Sequence, residues 1–265
     1  MYIPRNMRKE IEFIRSSVAE SVKLSSLPDE CSYLMSHFEY DLPIMRSFLT
    51  VDKVTSRIPD QEVSILDWGC GYGDMAYILK NRRPRANITC YDVHDAPSRR
   101  VLLERSGLPY IVASHEVELP FKDCSFDYAL AIGVLEHVPN ESGSLEELHR
   151  VLKPGGQLLL FFAPNRWSYT EAIMRKMGKP AHERTYTRRE LRCLVASKGF
   201  YVESVTYDYL LPIMLTSLPK QIKRLYSWLG NVVLPLDAMG AKIPGLNSVC
   251  SNLALAGRKL ASKGA

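Results

Sequence analysis

The chain predicts an α/β fold: a largely parallel sheet with helices packed against both faces. Three observations carry this. From residue 61 onward, short apolar runs of strand length alternate with stretches of helical character, the pattern of successive βαβ units. The run Ser125–Ile132 (SFDYALAI) is densely apolar without alternation, as a strand covered on both faces must be. The first run passes straight into a glycine-rich loop and then a helix (VSILDWGCGYGDMAYIL). In an open α/β sheet, that unit sets a ligand at the carboxyl end of a strand. With 265 residues, 46% of them hydrophobic, the chain can bury one such domain with additions.

Taken in order, residues 1–60 read as a helical N-terminal cap. Ile11, Ile14, Val18 and Val22 fall at helical spacing, and Pro43 is placed to begin a further helix. Val63–Asp67 is the first strand and Asp74–Lys80 opens a helix. Ala86–Asp92 is the second strand, followed by a polar helix over Arg99–Arg105. Pro109–Ala113 is the third strand and Ser125–Ile132 the fourth. Leu145–Leu152 is a helix with acidic residues early and basic ones late, which suits its dipole. Lys153–Gly156 (KPGG) stops it, and Gln157–Phe162 is the fifth strand. Thr187–Lys198 is a helix ended by Gly199, with strands over Phe200–Thr206 and Val249–Gly257. The organisation expected is therefore a cap (1–60), a core (61–206 with 249–265) and a lid-like, proline-punctuated insertion (207–248).

A net charge of +5 and a pI near 8.8 permit an anionic partner without requiring one, because the basic residues are scattered. No dense basic-aromatic stripe marks a nucleic-acid surface. The six cysteines (31, 70, 90, 124, 193 and 250) show no CxxC pair, so reduced thiols are expected rather than a disulfide frame or zinc site. Neither a secretory leader nor an apolar run long enough to span a bilayer is visible, which places the expected protein in the cytoplasm.

The glycine loop has no Lys followed by Ser or Thr, which a triphosphate loop needs. Its spacing, Gly69-x-Gly71-x-Gly73, also differs from the GxGxxG of dinucleotide sites. Asp67 ends the strand and Asp74 begins the helix, so two carboxylates bracket the glycines. They would repel a pyrophosphate and attract a ligand bearing an ammonium and a sulfonium. The sign of charge points to S-adenosylmethionine. Asp92 closes the second strand, where a carboxylate can accept from ribose hydroxyls.

Four blocks, ILDWGCGYG, CYDV, LPFKDCSFDYALAIGVLEHV and LHRVLKPGGQLLLFFAPN, together resemble the class I S-adenosylmethionine-dependent methyltransferases. The resemblance is to the type 11-like group that includes ubiquinone/menaquinone and small-molecule or glycan-pathway enzymes. It covers residues 61–165, with HERTYTRRELRCLVASKGF a weaker extension, and implies a Rossmann-like seven-stranded sheet whose last strand is antiparallel. It also implies roles for individual residues. Gly69, Gly71 and Gly73 would line the methionine moiety, Asp67 would meet its ammonium, Asp92 the ribose and Val93 the adenine. Ile132 would offer backbone beneath the sulfonium. His115 stands where the family often has an Asp for the adenine amine.

Two histidines qualify as a general base, His137 in LEHV and His182 in HERTYT, and no metal-ligand spacing is visible. The expected reaction is methyl transfer, most simply to oxygen, on a small-molecule, lipid or glycan-pathway acceptor. A non-catalytic S-adenosylmethionine-binding scaffold and an RNA methyltransferase are the alternatives. In SLPKQIKRLYSWLGNVVLP, Leu218, Ile222, Leu225, Leu229 and Val232 form one face of an amphipathic helix. Over 218–234 that helix is either a lid packed on the acceptor pocket or an interfacial element at the inner face of the membrane. Oligomeric state has no signature in the sequence.

Overall fold

The computed structural model describes residues 5–178, 182–212 and 219–260. Seven strands pair into one sheet: β1 (Ser64–Trp68), β2 (Asn87–Asp92), β3 (Tyr110–Val112), β4 (Phe126–Ile132), β5 (Leu152–Pro164), β6 (Phe200–Asp208) and β7 (Asn252–Lys259). Their order is β3-β2-β1-β4-β5-β7-β6. β1 to β5 pair in parallel, while β7 runs antiparallel to both β5 and β6. The expected sheet is thus present, with its last strand reversed and inserted between two earlier ones.

Successive strand side chains leave on opposite faces, and the two cores follow that alternation. Ile65, Leu130, Leu159 and Phe161 face a core shared with α1 (Arg5–Leu24), α3 (Asp41–Thr55), α4 (Asp74–Arg82) and α5 (Pro97–Ser106). Leu66, Trp68, Ala129, Ala131, Leu158 and Leu160 face the other, shared with α6 (Glu141–Val151) and α8 (Arg188–Ala196). α2 (Pro28–Phe38) joins the first layer through Leu34 and Phe38. α1 presents Ile11, Ile14 and Val18 to this core, as their spacing requires.

Several boundaries differ from expectation. β5 begins at Leu152, but pairing jumps from Phe126↔Leu152 to Tyr128↔Gln157, so Lys153–Gly156 bulges from the ladder as the KPGG turn. β7 starts at Asn252 rather than Val249, because Leu246–Val249 winds into a 3₁₀ turn. The insertion holds α9 (Lys220–Trp228) and α10 (Gly230–Gly240) in place of one helix, and Leu218 lies outside the described residues. α7 (Tyr169–Lys176) follows β5.

The carbonyls at the C-terminal end of α6 find their donor on β7, the strand beside β5. Lys259 donates from Nζ to the carbonyls of His149 (2.7 Å) and Leu152 (2.8 Å). Charged hydrogen bonds of this kind stabilise by about 1.5–3 kcal/mol. Replacing Lys259 by Met should therefore lower the unfolding free energy by roughly 2 kcal/mol in urea titration. An unchanged midpoint would show that water serves these carbonyls equally well.

Candidate functional site

The carboxyl ends of β1, β2, β4 and β5 open into a cleft of about 1670 Å³, lined by the glycine loop, the β4–α6 loop, α7 and the N-terminal helices. A pocket for one small ligand typically measures about 300–1,000 Å³, so this cleft has room for two. The loop after β1 holds Gly69, Gly71 and Gly73 at φ of 72°, 58° and 81°, a region that favours glycine. The three have different uses. A Cβ on Gly69 would stand 2.4 Å from Val134, and one on Gly73 would stand 2.3 Å from Leu103. A Cβ on Gly71 would meet no protein atom within 4 Å and would project into open space. Gly71 is thus the position at which backbone is bared to a ligand, whereas Gly73 serves the packing of the loop on α5 and is not part of the cleft wall.

Two carboxylates fix the character of this end. Asp92 accepts from the Gly71 N–H (2.8 Å) and, through its other oxygen, from the His94 N–H (3.0 Å), tying the first loop to the second. Each oxygen keeps a lone pair for a further donor. Asp67 is 2% exposed, lines the cleft, and its Oδ2 has no hydrogen-bond partner. Burial, with Asp74 and Asp92 adding like charge, pushes its pKa up to about 7. An orphaned buried carboxyl beside bared backbone fits a cationic ligand such as the ammonium of S-adenosylmethionine. Val93 and Ile132 also line the cleft. His115 is exposed and outside the wall; the loop turns it to solvent and brings Glu116 and Val117 to the cleft instead.

The β4–α6 loop and α7 bring a second group together. His182 Nδ1 lies 2.6 Å from Glu171 Oε1, and Glu171 is 5% exposed. Burial opposes the charged ring, but the hydrogen bond and charge of Glu171, with the charge of Glu136, outweigh it and raise the His182 pKa. His137 sits with its ring centroid 6.0 Å from that of His182. Burial and the His182 charge lower its pKa. Glu136 is 6% exposed, has an unpartnered Oε2, and burial raises it to about 7. Donor atoms of Glu136, His137 and His182 lie within 4.8 Å of one another, a cluster that sequence spacing does not reveal.

Sequence reasoning missed Glu136 and Glu171. Ser168-Tyr-Thr-Glu171 has the spacing of a capping box, which would assign that Glu to the helix end. The Ser168 hydroxyl does accept from the Glu171 N–H (3.3 Å), while the Glu171 carboxylate turns to His182. The N-terminal helices supply a third wall with Glu30, Tyr33, His37, Arg46 and Ser47. Glu30 anchors it, accepting from Tyr72 (2.6 Å) in the glycine loop and Ser98 (2.9 Å) in α5. Ser47 donates to Asp74 (2.7 Å). Phe162, at a φ of 62° where the β5–β7 register shifts, turns its ring to the cleft beneath the Arg46 guanidinium, 4.4 Å away.

Comparison with known proteins agrees with this geometry. Residues 66–160 match a methyltransferase domain family. The ubiquinone/menaquinone biosynthesis C-methyltransferase of Rickettsia felis is 38% identical over 130 residues, covering 44% of this chain and 52% of that protein. The enzyme of the same description from Rickettsia bellii is 35% identical over 119 residues, covering 41% and 47%. The chain thus spans about half the length of these curated relatives. Among solved structures, a possible histamine N-methyltransferase of Thermotoga maritima superposes with a TM-score of 0.57 at 19% identity, over 82% of this chain and 91% of that one. The 1,6-didemethyltoxoflavin N1-methyltransferase of Burkholderia thailandensis, solved with its substrate and S-adenosylhomocysteine, gives 0.54 at 18% identity over 98% and 92%. These two likenesses show the fold alone. Residues 66–160 are thus similar to a methyltransferase domain, and the fold around them is the one the solved methyltransferases share.

Asp67 gives a stability test with a definite sign. Its folded pKa lies near 7 against an unfolded value near 4, so ionisation opposes folding. The penalty is absent below about pH 4, grows as pH rises, and is complete above the folded pKa. Asp67→Asn should stabilise the ligand-free protein by roughly 2–4 kcal/mol at pH 8 and by much less at pH 4.5, read by urea unfolding. Equal gains at both pH values would refute the assignment of an unpartnered ionisable group.

Proposed function

We propose that this protein transfers a methyl group from S-adenosylmethionine to a hydroxyl of a small lipid- or glycan-pathway acceptor. One observation carries the reading: a single cleft holds an unpartnered buried carboxyl beside bared backbone at Gly71 and a carboxylate-held imidazole at His182. The first suits the cofactor's cationic end and the second suits an acceptor that must lose a proton.

Asp67 would meet the ammonium of the cofactor, Asp92 the ribose hydroxyls, and Val93 the adenine. Ile132 and the glycine loop would give the backbone surface on which it lies. When bound, S-adenosylmethionine supplies a methyl group already activated by its sulfonium. What remains for the chain is alignment, exclusion of water and custody of one proton. Glu171 fixes the His182 tautomer by accepting from Nδ1–H, which leaves Nε2 as the acceptor atom for the hydroxyl proton. His137, kept neutral by burial and by its neighbour, orients the same hydroxyl. The proton on His182 is then stabilised by Glu171 and Glu136, the two carboxyl groups whose charge acts on the ring. The preference for oxygen over carbon rests on this placement of a base, since the curated relatives are described as C-methyltransferases.

Formation of S-adenosylhomocysteine with lipid and glycan extracts, followed by mass analysis of the methylated product, tests the reaction. Cofactor binding with no turnover on any extract would favour a scaffold instead. His182→Ala should lower kcat by about 10²–10⁴-fold with cofactor affinity unchanged. Because Glu171 raises the His182 pKa, Glu171→Gln should move the ascending limb of the pH–rate profile to lower pH. A limb that stays in place would assign Glu171 to packing alone. Asp92→Ala should weaken cofactor binding tenfold or more, about 1.4 kcal/mol, in calorimetric titration.

A further inference from the structure

The insertion between β6 and β7 is docked on one stripe and bare on another. Ser227, Gly230, Val233, Asp237 and Gly240 are buried at intervals of three and four along α9 and α10. Ser227 Oγ accepts from the Leu42 N–H (3.1 Å) and Asp237 from the Leu211 N–H (2.7 Å). A Cβ on Gly240 would lie 2.4 Å from Leu210, so this face sits tightly on the domain. About 100° round the helix, Ile222, Leu225, Leu229, Val232, Leu236 and Met239 repeat at three and four, and all are exposed, from 38% to 66%. Trp228 (68%) stands beside them, and Ile243 and Leu246 continue the stripe toward the 3₁₀ turn. A lid packed over the pocket would bury this stripe, whereas here its residues face solvent. Contiguous apolar surface of this kind marks a docking site.

Charge decides the occupant. The segment 219–250 carries Lys220, Lys223, Arg224 and Lys242 against a single carboxylate, and that one, Asp237, is turned inward onto Leu211. A second copy of the chain placed face to face would set these cations against their own equivalents. An anionic bilayer offers apolar depth and negative headgroups at once. The cleft opens alongside: Leu211, held by Asp237, lines it, and so do Ile173 of α7 and Met177 just after it, which are 52% and 60% exposed.

We propose that α9, α10 and the 3₁₀ turn form an interfacial surface lying on an anionic lipid bilayer, with the apolar rim of the cleft beside it. The docking stands on its own. The corollary, that the acceptor carries a lipid chain and enters from the bilayer, rests on the methyl-transfer reading above.

Cosedimentation of the whole protein with vesicles tests this without any turnover, so its failure leaves methyl transfer untouched. Binding to vesicles of phosphatidylcholine with 30% phosphatidylglycerol should exceed binding to pure phosphatidylcholine at least tenfold and should weaken in high salt. Leu225→Glu with Leu236→Glu, both at exposed positions, should abolish vesicle binding while S-adenosylmethionine affinity stays within twofold, which also reports a folded protein. Lys220→Glu with Arg224→Glu should reduce binding to the anionic vesicles alone. Absence of binding to anionic vesicles, or binding indifferent to both variants, overturns the proposal. So does light scattering that finds a dimer which the Leu225 and Leu236 substitutions dissociate, since a second copy then covers the stripe.

Discussion

The carboxylate of Asp92, shared between the Gly71 and His94 amides, is the contact on which the cofactor end of the cleft depends. Two loops leave adjacent strands; the first also donates from the Gly69 and Cys70 amides to the Tyr91 carbonyl, and the second accepts from the Tyr110 hydroxyl at His94. A left-handed loop of glycines has many alternatives in the unfolded chain, and an acceptor that claims one amide from each loop adds the tie that holds the two together. The register of β1 against β2 sets this distance, since Asp67 pairs with Cys90 and Trp68 with Tyr91. The sheet therefore delivers Asp92 to Gly71, and Asp92 delivers bared backbone to the cleft.

The cleft concentrates acidic groups where little water can reach them. Asp67 and Glu136 are both pushed to about 7 by burial, and both leave an oxygen unpartnered. In an isolated domain such groups are liabilities. Each lies where a positive charge arises during the proposed function: the ammonium of a cofactor at Asp67, and a protonated imidazole at His182 near Glu136. Between them the chain divides its two histidines, raising the pKa of His182 and lowering that of His137.

Much of this was legible in the residues, for reasons that also mark where legibility ends. Alternating apolar runs and the SFDYALAI block announce a sheet buried on both faces, and its strands fall within a few residues of expectation. Asp67, Asp92, Val93 and Ile132 line the cleft because strand ends in this architecture must. Gly73 and His115 do not, since whether a loop residue faces inward is decided by packing against Leu103 or by the turn of the 113–119 loop. Glu171 has the spacing of a helix cap with Ser168, and nothing in that local pattern marks its contact with His182. Glu30 and Arg46 were hidden by distance along the chain. The amphipathic pattern of the insertion marked helical character, though as one helix where there are two, and not which stripe packs, because Ser227, Gly230 and Gly240 permit closer approach than the larger residues beside them.

The last strand in sequence is an interior strand in space. β7 fills the gap between β5 and β6, so until residue 252 arrives both of those strands present an open edge. β6 before that moment is held by α3, through Lys53 to Asp208 (2.7 Å) and Thr50 to Tyr209 (3.0 Å), contacts that close loops of more than 150 residues. Assembly of the sheet is thus a late, long-range event in which segments more than 150 residues apart cooperate. During synthesis, the half-built sheet carries two unpaired ladders and the uncovered insertion together. A nascent chain of this kind has reason to meet a surface, or a chaperone, before it is complete.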